Sequence, residues 1–465
     1  MAIPAPSGWH PAAARFGTIV TIAITAGNLF GAYKLIAIPT LLFGAGGAGF
    51  FVVPYAIMIA PIVYIMYPAI WNAAHAKGYT NAADLIGGSH GVQALGLAVA
   101  LTGLLACIPY LALQLIGLRI GLAALGIETD GVIGFLPRAG TVLVLVALTY
   151  KSGLAGLKSL ALIKTGLIFA LLLAILIAVP THVGGYRAMF AAIPADRLIL
   201  PTSESFDFFT YFTLGLGAAL SLWLYPHSIA GTLSAASADT VRKTTFALPV
   251  YSLSLGLMAL AGFAAVAVGV EKMPEFTASF ERYGAIFAVP ALIISIFPTW
   301  FTYLALAAII LGSVVPAASV SVSTATVCAR TIYRDYLHPG CSDARETQVA
   351  RLLSVLLKIG ALLFLFDIPL AQAMSMHLLG GAAMINILPA LVSATFGPFW
   401  NGRALLAGWA IGLTTSLSLA MAGEWHPIFV FSFFGTAFPC YIAIVALAVN
   451  AAVTAVLSPV LKAAR

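Results

Sequence analysis

The run of residues 16–43 is long enough to cross a bilayer, for which about 20 apolar residues suffice. Its middle, however, reads Ala26-Gly-Asn-Leu-Phe-Gly-Ala-Tyr-Lys34. Two glycines, an asparagine and a lysine stand where lipid favours leucine. A helix carrying Gly27, Asn28, Gly31 and Lys34 at that depth is expected to line a cavity and to be partly unwound. That combination excludes a simple lipid-facing anchor.

The rest of the chain agrees. Of its 465 residues 62% are hydrophobic and 8% charged, whereas soluble domains carry about 25% charged residues. The reading is an all-α polytopic membrane protein. Its apolar runs are too long and continuous for an outer-membrane barrel. About twelve spanning segments are expected, at 17–43, 48–72, 92–125, 133–150, 157–180, 206–233, 244–270, 300–332, 347–367, 369–395, 403–421 and 434–459. A shorter apolar piece, 286–297, punctuated by Pro290 and followed by Pro298, is read as a re-entrant, lid-like hairpin on the outer face.

The net charge of +7 comes from basic residues set singly in short loops, which argues against a nucleic-acid partner and for membrane topology. With the N-terminus inside, thirteen lysines and arginines fall in cytoplasmic segments against five outside. Both termini are therefore expected in the cytoplasm of a bacterial inner membrane. The first fifteen residues lack the apolar core and cleavage site of a signal peptide. The cysteines 107, 328, 341 and 440 show no metal-ligand spacing, so no metal centre and no cofactor are expected.

Segments one and six share an interruption by small residues, in segment six Thr213-Leu-Gly-Leu-Gly-Ala-Ala-Leu220. Broken helices five segments apart point to an inverted-repeat transporter. Membrane helices are also rich in glycine for packing reasons alone.

No Asp or Glu stands deep in any segment; Asp207 and Asp367 lie at helix ends. The polar residues at depth are basic or neutral. Buried cations need partners, and one solution is that the solute brings the negative charge. Lys34 either attracts an anionic solute, stands where a coupling cation would, or snorkels to headgroups. Lys164, Lys358 and Arg119 read as interfacial anchors. Tyr110 and Gln114, four apart, share one helix face, and Gln114 either bonds a solute carboxylate or joins helices. Tyr225 and His227 flank Pro226; His227 is a candidate for gating or proton relay, as is His377, and both also fit packing roles. The run Pro316-Ala-Ala-Ser-Val-Ser-Val-Ser-Thr-Ala-Thr326 offers hydroxyls to a monovalent cation or to neighbouring helices.

From Gly17 to Gly91 the chain resembles the sodium:solute symporter family. The likeness rests on Ala37-Ile-Pro39, Phe43-Gly-Ala-Gly-Gly-Ala-Gly-Phe-Phe51, Val53-Pro-Tyr55 and Gly78-Tyr-Thr-Asn-Ala-Ala-Asp84. Pro109-Tyr-Leu-Ala-Leu-Gln114, Tyr225-Pro-His227 and Arg330-Thr-Ile-Tyr-Arg-Asp-Tyr-Leu337 are similar to its bacterial monocarboxylate permease branch. The resemblance implies a single domain, 1–465, of LeuT type. It would hold a first inverted repeat at 17–180, a second at 206–395 and two peripheral helices at 403–459, with helices one and six broken. It implies a solute site touched by Asn28, Tyr110, Gln114 and Tyr225. It places an ion site on Ala318, Ser321 and Val322, or in a frame shifted by two on Ser323 and Thr324. The unshifted frame lacks the second hydroxyl. Asn28 stands where the family has an acid in helix one, and Thr165 where it has one in helix five. The expected function is secondary active import of a short monocarboxylate of acetate, propionate, pyruvate or lactate type, by alternating access, coupled to Na+ or H+. The alternatives are an amino-acid symporter, for instance for proline, and a sensor or channel derived from a transporter. No enzymatic constellation is visible.

Overall fold

The computed structural model describes residues 9, 15–29, 31–129, 131–203, 206–364 and 369–463. The Asn28 side chain, Asp130, Asp367 and Arg465 lie outside the described residues. The first segment is broken. Helix α1 (Thr18–Leu29) stops before residue 30, a π-helical turn follows at Tyr33–Ala37, and α2 (Ile38–Ala45) completes the crossing. Gly31 sits at the gap because no side chain fits there: a Cβ would collide with the side chain of Gln114. A 3-10 turn, Gly46–Phe51, leads into α3 (Val52–Lys77), and Asn81 caps α4 (Ala82–His90) by accepting from the Asp84 N–H at 2.9 Å. Then come α5 (Gln93–Ala124), α6 (Gly131–Tyr150) and α7 (Lys158–Val183), followed by the short α8 (Tyr186–Ala191) and α9 (Ala195–Leu198).

The sixth segment is also broken. Asp207 opens α10 (Phe208–Ser221) with a capping box to Thr210, one 3-10 turn covers Leu222–Leu224, and α11 (Pro226–Leu233) leaves at 52° to the preceding piece. Tyr225 is the hinge residue: its φ of −58° and ψ of 144° are extended, the conformation favoured before proline. Next are α12 (Ala238–Val268), α13 (Thr277–Tyr283) and α14 (Ala288–Ile296). The expected outer hairpin at 286–297 is instead the end of a continuous helical run. Helix α13, a 3-10 turn at Gly284–Phe287 and the nine-residue α14 belong to the stretch Pro274–Ile296, which is long and apolar enough to cross a membrane. Helix α15 (Thr299–Val327) runs on as a π-helical stretch to Leu337, and α16 (Asp343–Phe364), α17 (Leu370–Met384), α18 (Leu388–Thr395) and α19 (Gly402–Ala422) follow.

The last expected segment, 434–459, needs correction. Strands β1 (Ile428–Phe433) and β2 (Thr436–Tyr441) form an antiparallel hairpin, and α20 (Ile442–Ala463) starts only after it. Aromatic and β-branched residues favour the strands, and the sequence run 428–441 is apolar enough to pass for part of a helix. Among the described residues, nine helices are long and apolar enough to cross a membrane, or ten with the bent pair counted once, against the twelve expected.

Helix α15 is the axis of the bundle, packed on α5, α7 and α16, while α12 packs on α3, and α19 and α20 pair with each other. From Gly312 to Cys328 every residue of this axis is buried. The outward faces are apolar: Phe246, for one, is 77% exposed. In water such a surface would aggregate; in lipid it is the solvated face.

Candidate functional site

The two breaks converge on α5. At the first, the Ala32 N–H, left without an intrahelical partner by the interruption, donates to Gln114 Oε1 at 2.8 Å. Gly117, one turn further along α5, allows this approach: a Cβ there would meet the Cβ of Ala32 and, at 2.9 Å, Ser313 Oγ. Gln114 is fully buried, and among the described residues its Nε2 has no hydrogen-bond partner. An orphaned buried amide donor costs about 1–3 kcal/mol, so its position beside an opened helix marks it as a group awaiting an acceptor. Two residues past Ala32, Lys34 is 7% exposed, with its Nζ 5.9 Å from the Tyr55 ring centre on α3. No carboxylate or side-chain hydrogen bond meets this ammonium among the described residues. The side chain is enclosed by the bundle.

At the second break four rings close together. Tyr110 of α5 stacks on His227 at 5.0 Å with 18° between planes, and lies 4.9 Å from His377 of α17 and 5.7 Å from Tyr225. Tyr225 in turn lies 5.6 Å from His227 and 6.1 Å from His377. All four are buried. Gly380 makes room, since a Cβ there would stand 3.2 Å from Tyr225 Oη. His377 is also within electrostatic range of Lys34, which links the ring cluster to the first break.

The residues brought together are therefore Lys34, Tyr110, Gln114, Tyr225 and His227, joined by His377 and Tyr55. The helical spacing of Tyr110 and Gln114 pointed to the first pair. Tyr55 gave no signal beyond its place in Val53-Pro-Tyr55, because its role depends on α3 crossing the π-helical turn.

The α15 hydroxyls are arranged differently. Ser321 Oγ donates to Ala318 O of its own helix at 2.9 Å, and Val322 packs with Trp9, Ala329 and Ala350. Among the described residues the buried Ser319 and Ser323 hydroxyls have no hydrogen-bond partner, and the buried Thr324 hydroxyl lies beside the Cys107 thiol. Ser323 lines a cavity of about 20 Å³ with Thr80, Asn81, Pro226 and Thr326, room for one small guest. On the other side a cavity of about 650 Å³ opens between Thr40, Leu214, Met374 and the foot of the hairpin at Ile428.

Two lysines expected at the interface are instead inside. Lys164 on α7 is fully buried, within electrostatic range of Lys34. Lys358 on α16 is 1% exposed, and its Nζ donates to Ser354 Oγ at 2.8 Å and Thr149 Oγ1 at 3.1 Å. Arg119 lies over the Tyr283 ring at 5.5 Å. Among the described residues no group of three or more His, Cys, Asp or Glu side chains could hold a metal ion.

Comparison with known proteins bears on this geometry. Over 462 residues the chain is 36% identical to the monocarboxylate transport permease protein of Rhizobium johnstonii, a match spanning 98% of this chain and 90% of the relative. The chain belongs to that permease's family. The chain is also 29% identical over 432 residues to the uncharacterised symporter YodF of Bacillus subtilis, across 90% of this chain and 83% of the other. No protein-family model matches. Among solved structures it resembles the substrate-bound outward-open state of a Na+-coupled sialic acid symporter. The TM-score there is 0.76 at 15% identity, covering 97% of this chain and 92% of that one. It also resembles Mhp1, a nucleobase-cation-symport-1 family transporter, in a closed conformation. The TM-score is 0.56 at 13% identity, covering 97% and 95%. The fold is thus the LeuT-like transporter fold with broken first and sixth helices, and the protein is a membrane transporter of the permease's family.

Proposed function

We propose that the chain imports a short monocarboxylate of the acetate, propionate, pyruvate or lactate type, as a member of the sodium:solute symporter family in a bacterial inner membrane with both termini in the cytoplasm. The permease name of its 36%-identical relative supports the substrate class. The observation that carries the reading is Gln114: its Oε1 is spent on the broken first helix and its Nε2 is left over, with Lys34 nearby and no acid in α1, α2, α5, α10, α11 or α17.

Magnitudes favour an anion. A cation–π contact contributes about 0.5–2 kcal/mol, whereas burying an ammonium costs several kcal/mol. Tyr55 alone leaves a deficit that a solute carboxylate would offset. The carboxylate then takes the Gln114 amide and the Lys34 ammonium, while the rings of Tyr110, Tyr225 and His377 enclose the short carbon chain. Contact between both breaks and one solute lets binding bias the half-helices together, which is the requirement for alternating access.

For coupling, Lys34 stands in part for a cation, and the matched position Val322 offers no oxygen; proton coupling or sodium-independent exchange follows, with His227 as the relay. Counterflow of labelled pyruvate in proteoliposomes under imposed sodium and pH gradients tests this. Uptake that follows the pH gradient without sodium is expected, and strict sodium dependence rejects the coupling assignment. Exchange of proline in place of pyruvate would reject the substrate class. Lys34→Ala and Gln114→Ala should each weaken solute binding on the order of tenfold to a hundredfold, the loss of one charge-assisted hydrogen bond.

A further inference from the structure

A groove of about 510 Å³ opens on the outside of the bundle between α5, the π-helical end of α15 and α16. It shares no residue with the site above. Its α16 wall is one helix face: Val349, Leu353, Leu356 and Gly360 follow at steps of four, four, three and four from Arg345, the spacing that aligns side chains along a helix. Ile332, Tyr333 and Leu337 form the opposite wall, and Leu104 and Ile108 close the back. The rim faces outward, with Leu337 64% and Leu356 53% exposed.

Gly360 keeps the groove open. A glycine in a helix interior costs about 1 kcal/mol against alanine, and here a Cβ would meet nothing within 4 Å. Close packing against a neighbouring helix therefore does not account for it; the space it leaves is groove.

The mouth is charged. Arg345 donates to Tyr333 Oη at 3.3 Å and to Gln348 Oε1 at 3.0 Å, both neutral. The adjacent Arg334 is neutralised by Asp343 and Glu346, each at 2.5 Å. Among the described residues no carboxylate meets Arg345, which leaves one uncompensated cation at the end of an apolar trough.

We infer that this groove seats one acyl chain of an anionic phospholipid, with the phosphate on Arg345 and Tyr333 and the chain running along the face from Val349 to Gly360. An apolar trough topped by a guanidinium and a phenol matches a phospholipid's headgroup and tail in order and in polarity. A water-soluble anion would use the mouth alone, and a second protein copy would not need the cation.

Native mass spectrometry of the purified chain with phosphatidylglycerol or phosphatidylcholine tests the assignment. The intact protein should retain phosphatidylglycerol about fivefold more than phosphatidylcholine, the effect of one basic residue at a membrane surface. Arg345→Gln should erase that preference while still holding either lipid, and Arg403→Gln, a residue that does not line the groove, should leave it intact. Gly360→Leu should fill the trough and lose both lipids. Equal retention of the two lipids by the intact protein overturns the inference, as does unchanged retention in Gly360→Leu. Displacement of the lipid by inorganic phosphate, or a dimer mass that disappears in Gly360→Leu, would assign the groove to a free anion or to a second copy and would overturn it as well.

Discussion

Gln114 works in two directions at once: its oxygen holds the opened backbone at Ala32, and its nitrogen is left for something else. Replacing it with glutamate separates these roles. Gln114→Glu keeps the acceptor for the Ala32 N–H but turns the free donor into a charged acceptor. Solute affinity should then fall about a hundredfold while the protein stays folded, since like charges in a shared site repel by a few kcal/mol. Gly31→Ala attacks the same joint from the other side. Its Cβ would collide with the Gln114 side chain, and overpacking of this kind costs about 1–3 kcal/mol; transport should fall at least as far as in Gln114→Ala, read by uptake at matched expression. Lys358 behaves differently. It sits among neutral oxygens away from the site, so Ser354→Ala should lower the melting temperature while solute affinity is unchanged.

Lysine placement also measures what the sequence could tell. Gln114 and Tyr110 were legible because four-residue spacing on a long helix fixes a shared face. Lys164 was not: Leu160-Ala-Leu-Ile163 precedes it and Leu, Ile and Ala follow, so periodicity names no inner side. Its burial is decided by how α7 lies against α1 and α15. His377 is a similar case, since its ring partners come from two other elements.

At the scale of elements, both broken helices were readable from their small residues, and the hairpin was not. Strands β1 and β2 are as apolar as a spanning helix, and their turn is Phe434-Gly435, with φ of 51° and 79°. Two-residue turns with positive φ at both positions favour Asn-Gly. A phenylalanine there stores about 1–2 kcal/mol of left-handed strain, and Phe434 is fully exposed. Phe434→Asn should therefore stabilise the protein by about 1 kcal/mol, seen as a raised melting temperature. The hairpin also anchors α10. Thr210 Oγ1 donates to Pro439 O at 2.9 Å, the Tyr441 N–H donates to Thr213 Oγ1 at 3.2 Å, and Tyr441 Oη donates to Leu378 O at 2.6 Å. The N-terminal half of segment six, α10, is thus tied to α17, next to His377.

Over the whole molecule, elements far apart in sequence are joined by a few polar links set in an apolar bundle. One is titratable: His90 at the end of α4 contacts Ile86 O and Ser393 Oγ, each at 2.9 Å, fastening α4 to the segment after α17. Burial holds its imidazole below the ordinary pKa of 6.5, against the pull of the Ile86 carbonyl. Because the folded form resists the proton, this contribution is complete above pH 6.5 and is lost as pH falls below it. His90→Gln should flatten that part of a stability-versus-pH curve. The bundle as a whole was the most legible feature, since composition alone demanded it; the join between the two breaks was the least, since it exists only once α5 lies between them.

The central claim is that this site, basic and amide-bearing and built by helices α1, α2, α5, α10, α11 and α17 that carry no acid, receives a negative charge. Isothermal titration of the purified protein with lactate and with lactamide, equal in shape and different in charge, tests it most directly. Lactate should bind, and lactamide should bind at least about a hundredfold more weakly, the loss of a charge-assisted contact to both Gln114 and Lys34. Equal affinity for the two would contradict the account.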